Sequence, residues 1–160
     1  MALEVAGSLV YFWFAHGLGG SEWHDRVQEA LSRTEGKKHT LARAKALNGL
    51  GFMYWADVYP TDRRPELEEA LSIGREMNDP RTIATALRNL GLLENINGNY
   101  EEARTFLEQS LEILRELGVA GKTESTWTLI FLGDVALNHS NPDWARSLYE
   151  ETVAVLRELG

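Results

Sequence analysis

Apolar residues recur along this chain at intervals of three and four, the spacing that places them on one face of an α-helix. The pattern is most regular from Arg81 to Gly118, where two such runs flank the polar segment Asn97-Gly98-Asn99. Asparagine and glycine favour tight turns because both tolerate a left-handed backbone that other residues avoid. This stretch therefore predicts two antiparallel helices joined by a short turn, which is a helical hairpin.

The same hairpin is repeated along the chain. Leu50-Gly51, Leu90-Gly91 and Leu132-Gly133 follow one another at intervals of 40 and 42 residues, and LRELG begins at both 114 and 156. An internal period of this length, without any strand pattern, is typical of helical repeat arrays. We therefore expect an all-α protein with a single domain over residues 1–160. Its four hairpins are predicted at approximately 2–33, 41–77, 80–117 and 123–159.

Proline and glycine mark several of the predicted helix ends. Asp79 precedes Pro80 and Asn141 precedes Pro142, in each case an N-cap residue followed by a proline that suits the first helical turn. Gly118 follows the apolar run of the third hairpin, so it is expected to close that helix in a left-handed conformation. A linker is expected over residues 119–122.

Three features together resemble the tetratricopeptide repeat: a Leu-Gly pair in the first helix, Tyr100 after the turn, and Ala103 one turn into the second helix. The resemblance implies a right-handed superhelical α-solenoid in which Gly91 and Ala103 are small because two helices cross closely there. The usual unit is about 34 residues, so intervals of 40 to 42 imply longer helices. Lengthened repeats of this kind look like the sensor arms of bacterial LuxR- and MalT-type regulators and signalling ATPases.

Stacked hairpins form a curved array whose first helices line a concave groove. The repeat's groove positions, carried onto this sequence, interrupt the apolar stripe of their helices with aromatic, amide and guanidinium groups, which suit a bound peptide. They are Lys45, Asn48, Phe52, Trp55, Thr85, Arg88, Asn89, Leu92, Asn95, Trp127, Ile130, Phe131 and Asp134. Of these, Arg88, Asn89 and Asn95 are expected to face outward. In the alternative, the aromatic members pack between hairpins.

Composition narrows the kinds of partner. The formal net charge is -8 and there is no cysteine. An acidic chain does not offer the basic face that a phosphate backbone or an anionic membrane attracts. The missing cysteines fit a reducing compartment, and the apolar run over residues 9–15 is too short for a membrane span and lacks a basic leader. We expect a cytoplasmic protein with a protein or peptide partner, and no direct contact with nucleic acid or membrane.

No group of residues has the spacing of a catalytic or metal site. The four histidines, His16, His24, His39 and His139, are scattered, and neither a phosphate-binding GxxxxGK[ST] loop nor a basic recognition helix is present. We therefore expect a non-enzymatic interaction module without cofactor or metal, the sensing or scaffolding part of a bacterial regulator. Two alternatives remain open: a spacer or dimerisation repeat without a groove ligand, and a small-molecule-sensing arm.

The last predicted helix keeps its apolar stripe to its end, with Trp144, Leu148, Val153 and Leu156 in the pattern. A terminal repeat normally needs a polar outer face. We therefore expect either that the chain comes from a longer array or that this face pairs with a second copy to form a dimer.

Overall fold

The structure, a computed structural model, describes residues 21–32, 40–53 and 63–160. These ranges contain α-helices and no strand, so the all-α prediction is confirmed. The helices are α1 (Ser21–Ser32), α2 (Leu41–Met53), α3 (Arg64–Glu76), α4 (Pro80–Ile96), α5 (Tyr100–Glu116), α6 (Lys122–Asn138) and α7 (Pro142–Leu159). The predicted helix over residues 2–16 and the groove residue Trp55 lie outside the described residues.

The chain divides into two compact units, and the boundary lies inside α4, between Asn89 and Leu90. In the first unit, α2 packs against α3 and α4. In the second unit, α6 packs against both α5 and α7. The single domain over residues 1–160 stays a prediction. Among the helices within the described ranges, none combines the length and the apolarity that crossing a membrane requires.

Three glycines let the two helices of a hairpin approach closely. A β-carbon built on any of them would lie nearer to the opposing helix than the roughly 3.5–4.0 Å at which carbon atoms pack. The β-carbon would lie 2.2 Å from Leu67 at Gly51, 2.6 Å from Leu107 at Gly91 and 2.4 Å from Tyr149 at Gly133, measured to the nearest atom of the partner. In every pair the partner follows the glycine by sixteen residues. The Leu-Gly repeat in the sequence is therefore also a repeat in the packing.

The turns inside the third and fourth hairpins also repeat. Gly98 has a φ of 82°, and the amide of Asn99 donates to the carbonyl of Glu94 at 2.9 Å. The same bond, 42 residues later, joins the amide of Asn141 to the carbonyl of Ala136 at 2.7 Å. Both bonds satisfy carbonyl groups that the end of a helix leaves unpaired. The predicted tight turn at residues 97–99 is confirmed.

The two predicted N-caps are present. The carboxylate of Asp79 accepts a hydrogen bond from the amide of Thr82 at 2.7 Å, and the side chain of Asn141 accepts from the amide of Trp144 at 3.2 Å. Each bond pairs one of the amides that the first turn of a helix leaves without a partner. Together they fix the starts of α4 and α7.

The segment between α5 and α6 differs from the expected linker. Gly118 has a φ of 59°, as its predicted left-handed role requires. The next residues form a short 3₁₀ turn, Gly118–Gly121, and α6 begins at Lys122. A β-carbon on Gly121 would lie 2.1 Å from the carbonyl oxygen of Leu114, so the turn packs directly on the α5 backbone. This contact was not predicted, because the local residue pattern does not indicate it.

Candidate functional site

One face of α6 carries the most accessible predicted groove residues of the second unit. Trp127 is 39% exposed, while Ile130 and Asp134 are partly exposed. Because they follow one another by three and four residues, these side chains share a face of the helix. We call Trp127, Ile130 and Asp134 the α6 face.

The indole ring of Trp127 is supported from below by a core side chain. Its centroid lies 6.3 Å from that of Phe131, with 35° between the ring planes, and Phe131 is buried. Tilted aromatic pairs at this separation attract each other beyond their area of contact. Trp127 is therefore a supported aromatic side chain with part of its surface in solvent, the kind of group that anchors protein partners.

Asp134 is held in place by the neighbouring helix. The hydroxyl of Tyr149 on α7 donates a hydrogen bond of 2.8 Å to Oδ1 of Asp134. Burial of the phenol, reinforced by this hydrogen bond and by the charge of the carboxylate, raises the pKa of Tyr149 from 10.0 to about 12. The phenol therefore stays protonated at neutral pH, and the α6 face carries an oriented carboxylate two turns from the indole.

The structure buries most of the other predicted groove residues. Lys45 is exposed and Thr85 is partly exposed. The buried ones are Asn48, Phe52, Arg88, Asn89, Leu92, Asn95 and Phe131. The outward orientation expected of Arg88, Asn89 and Asn95 is therefore wrong. Phe52 and Phe131 lie in the core, as the packing alternative predicts.

Two of the buried amides join α2 to α4 in the first unit. Nδ2 of Asn89 donates to the backbone carbonyl of Asn48 at 2.8 Å, and Nδ2 of Asn48 donates to the carbonyl of Thr82 at 3.4 Å. Buried polar groups need such partners because water no longer solvates them. Among the described residues, the Oδ1 atoms of both asparagines have no hydrogen-bond partner. The pair therefore serves helix packing, with one acceptor left over on each side chain.

Amides also explain the burial of Asn95 in the second unit. Its Oδ1 accepts a hydrogen bond of 3.0 Å from Asn138 at the end of α6. One residue earlier, the carboxylate of Glu94 accepts a hydrogen bond of 2.6 Å from the side chain of Asn99. Both residues hold the end of α4 in place. The sequence did not single them out for this role, because the bonds are made between residues on different helices or across the turn.

The apolar stripe of α7 is only partly covered. Leu148 is buried and Trp144 is partly exposed, with the guanidinium carbon of Arg104 lying 4.6 Å from the centre of its ring. Val153 and Leu156 remain exposed. The contact between Arg104 and Trp144 was not predicted from the sequence. The signal that could have indicated it is the 42-residue repeat, because Arg104 has an arginine counterpart, Arg146, 42 residues later.

His139 is the histidine whose side chain the structure describes. Its ring lies 5.8 Å from that of Tyr100, and its Nδ1 is 3.4 Å from a carboxylate oxygen of Glu101. Over residues 21–32, 40–53 and 63–160, no three acidic or histidine side chains come together as metal ligands would.

Comparison with known proteins identifies the class of repeat. The tetratricopeptide repeat family matches residues 82–158. The crystal structure of BtubC from P. vanneervenii superimposes with a TM-score of 0.74 at 15% identity, covering 98% of this chain and 64% of that one. The TPR domain of Arabidopsis FLU gives 0.60 at 20% identity, over 72% of this chain and 96% of that one. The fold is therefore an all-α solenoid of tetratricopeptide-like repeats, as the Leu-Gly pairs predicted.

Curated relatives of the chain are much longer proteins. A Mycobacterium bovis protein, named as an HTH-type transcriptional regulator, is 28% identical over 134 residues, which make up 80% of this chain and 14% of that protein. Two Mycobacterium tuberculosis strains have proteins of the same type, with the same values. This chain therefore spans about one seventh of the length of these relatives.

Proposed function

We propose that this chain is a non-catalytic peptide-binding module, the sensing or scaffolding part of a bacterial transcription regulator, and that the α6 face contacts its partner. The observation that carries this proposal is the supported indole of Trp127 beside the oriented carboxylate of Asp134. An aromatic anchor and a fixed charge on one helical face supply both the apolar contact and the orientation that peptide recognition needs.

The chemistry of the α6 face favours one class of peptide. Trp127 and Ile130 offer apolar surface, so the partner contributes an aliphatic or aromatic side chain. Asp134, which lies about two helical turns from Trp127 along α6, favours a lysine, arginine or amide group of the partner. The net charge of -8 supports a basic partner, because complementary charge accelerates association.

The regulatory setting rests on the comparisons and on the composition. The relatives that match most of this chain bear the name of HTH-type transcriptional regulators. Tetratricopeptide repeats are scaffolds for protein contacts, and this sequence carries neither a phosphate-binding loop nor a basic recognition helix. These observations support a role in binding a signalling partner rather than DNA, in the cytoplasm where such regulators act.

The first unit offers two further contact positions. Lys45 on α2 and Thr85 on α4 are the predicted groove residues that remain accessible there. The hydroxyl of Thr85 donates to the carbonyl of Arg81 at 2.9 Å. We propose them as secondary contacts of the same partner, with smaller effects than Trp127.

Self-association through α7 is a second candidate function. The observation in its favour is the exposure of Val153 and Leu156 on the outer side of that helix. Exposed apolar patches on soluble proteins often mark contact surfaces. Light scattering over a range of protein concentrations tests this candidate, and a constant monomer mass contradicts it.

Selection from a random peptide library tests the binding proposal. The full chain is the bait, and an enriched peptide is then titrated by fluorescence polarisation against the wild type and Trp127→Ala. We expect Trp127→Ala to weaken binding at least about tenfold, equivalent to about 1.4 kcal/mol. Trp144→Ala is the matched control, since it removes an indole from a different helix, and it should stay within about twofold. Failure to enrich any peptide, or peptides that ignore Trp127→Ala, would overturn the proposal.

A further inference from the structure

The outer side of α7 repeats a surface that is covered one hairpin earlier. Leu111 and Leu114 are 5% and 2% exposed, and they lie on α5, the helix against which α6 packs. Their counterparts 42 residues later, Val153 and Leu156, are 46% and 50% exposed. The same positions of the repeat are thus buried where a hairpin follows and exposed on α7.

Two arginines of α5 bind the hairpin that covers it. The guanidinium of Arg104 lies over the ring of Trp144, and the guanidinium of Arg115 forms an ion pair with the carboxylate of Glu151. Both partners are on α7, seven residues apart and so two helical turns from each other. The covering helix therefore presents an aromatic ring to one arginine and a carboxylate to the other.

The same two arginines are present on α7. Arg146 and Arg157 follow Arg104 and Arg115 by 42 residues, and both line an open groove of about 540 Å³ beside Val153. Within the described part of the chain, neither has an ion-pair or aromatic partner. Arg146 and Arg157 in this groove thus correspond to Arg104 and Arg115, the two arginines of α5 that contact α7.

We infer that the outer side of α7 is a docking surface for a further helical hairpin of this repeat type. The second helix of the docked hairpin places an aromatic ring on Arg146 and, seven residues later in that helix, a carboxylate on Arg157. Apolar side chains of the same hairpin cover Val153. This inference goes beyond the proposed function, because it concerns a different helix face and does not depend on the α6 face.

Glu150 also lines this groove, and it is the counterpart of Glu108. On α5, Glu108 accepts a hydrogen bond of 2.8 Å from Arg104, yet the Arg104 guanidinium still lies over the ring of Trp144. Glu150 is therefore placed to orient Arg146 in the same way without blocking the aromatic partner.

The α7 helix of a second copy is a poorer occupant. Its own Trp144 and Glu151 are already in contact with Arg104 and Arg115 of the same chain. Two α7 helices would also bring the guanidinium groups of Arg146 and Arg157 into one interface without the ring and the carboxylate that the register calls for. Like charges in an interface oppose association. The occupant is therefore a hairpin of complementary chemistry.

A tandem chain tests the inference. Residues 119–160 are appended again after Gly160, which preserves the 42-residue register and supplies copies of Trp144 and Glu151. Because the chain has no cysteine, Val153→Cys gives a single thiol in the groove. Its modification by dithiobis(nitrobenzoate) is compared in the tandem and unextended chains, with Ser72→Cys on exposed α3 as the control site.

We expect the thiol at position 153 to react at least about tenfold more slowly in the tandem chain, while the control thiol reacts equally in both. Arg157→Glu should abolish this protection, and Glu151→Arg in the appended copy should restore it. The tandem chain should unfold in a single urea transition. An unprotected thiol at position 153, or protection that ignores Arg157→Glu, would overturn the inference. So would protection in the unextended chain that grows with its own concentration, because a second copy would then be the occupant.

Discussion

The phenol ring of Tyr149 occupies the space that a side chain on Gly133 would need. A β-carbon at that glycine would lie 2.4 Å from Cε1 of the ring. The hydroxyl of the same ring donates a 2.8 Å hydrogen bond to Asp134, the next residue along α6. The close packing of α6 and α7 at Gly133 therefore also positions the carboxylate of the α6 face, which links the repeat to the proposed binding site.

Gly133→Ala should destabilise the fold and disturb Asp134. The added methyl group forces the ring of Tyr149 to move, and overpacking of this kind costs about 1–3 kcal/mol. Alanine also favours the helix by about 1 kcal/mol relative to glycine, which offsets part of this cost. Once that gain is added back, the free energy of unfolding measured in urea should be lower by the overpacking cost. Ser72→Ala is the control, because it changes an exposed position inside a helix. Equal stability of the two variants would contradict the packing described for Gly133.

Tyr149 should titrate later than an ordinary tyrosine. Its pKa is raised to about 12, chiefly by burial and then by Asp134. In an absorbance titration at 295 nm, the difference between the wild type and Tyr149→Phe should have its midpoint near that value. Asp134→Asn should lower the midpoint, because it removes a negative charge beside the phenol.

The raised pKa of Tyr149 also sets the direction of a stability change. The folded state favours the protonated phenol, so this contribution is fully present below pH 10, the ordinary pKa, and is lost as the pH rises through about 12. Between these values the wild type should lose more of its free energy of unfolding than Tyr149→Phe. Parallel pH profiles for the two proteins would contradict the assignment.

Trp127 and Phe131 should separate binding from stability. Phe131 is buried, and its replacement by alanine should cost about 3–5 kcal/mol in the free energy of unfolding. Trp127 is partly exposed, so Trp127→Ala should cost about 1 kcal/mol. Thermal and urea unfolding of both variants measure the difference. A loss for Trp127→Ala as large as that for Phe131→Ala would assign the indole to the core.

Asn89 should contribute to stability rather than to binding. Asn89→Ala removes the bond to the carbonyl of Asn48 and leaves a gap, which should cost about 1–3 kcal/mol. Asn89→Leu should cost less, because leucine restores volume and removes an Oδ1 that has no partner among the described residues. Lys45→Ala, on exposed surface of α2, is the control and should change stability by about 0.5 kcal/mol or less. Equal costs for the alanine and leucine variants would contradict this account.

The repeat itself could be predicted because it depends on local chemistry. The helix crossing at Leu90-Gly91 could be predicted because such a crossing requires a small residue beside an apolar one. The turn at Asn97-Gly98-Asn99 could be predicted because a left-handed backbone restricts the residue types that fit. The N-cap at Asp79 could be predicted as well, because Pro80 follows it at the first position of the helix. Each of these features needs only a few adjacent residues, so the sequence carries them directly.

The candidate site was harder to predict because exposure depends on contacts between distant segments. Arg88 and Asn89 have the residue types of a binding groove, yet both are buried. For Asn89 the reason is its bond to Asn48, 41 residues away. No periodicity distinguishes an amide that joins two helices from one that binds a peptide. Trp127 and Phe131 are separated by one turn and share an aromatic character, but only the packing places one above the other.

The central claim is that the chain binds a peptide partner through the α6 face. Amide hydrogen exchange of the full chain, with and without a library-selected peptide at about its Kd for the wild type, measures the footprint most directly. The account predicts that slowed exchange centres on residues 127–134, and that Trp127→Ala largely removes it at the same peptide concentration. A footprint confined to α7, or the same footprint in the Trp127→Ala variant, would contradict it.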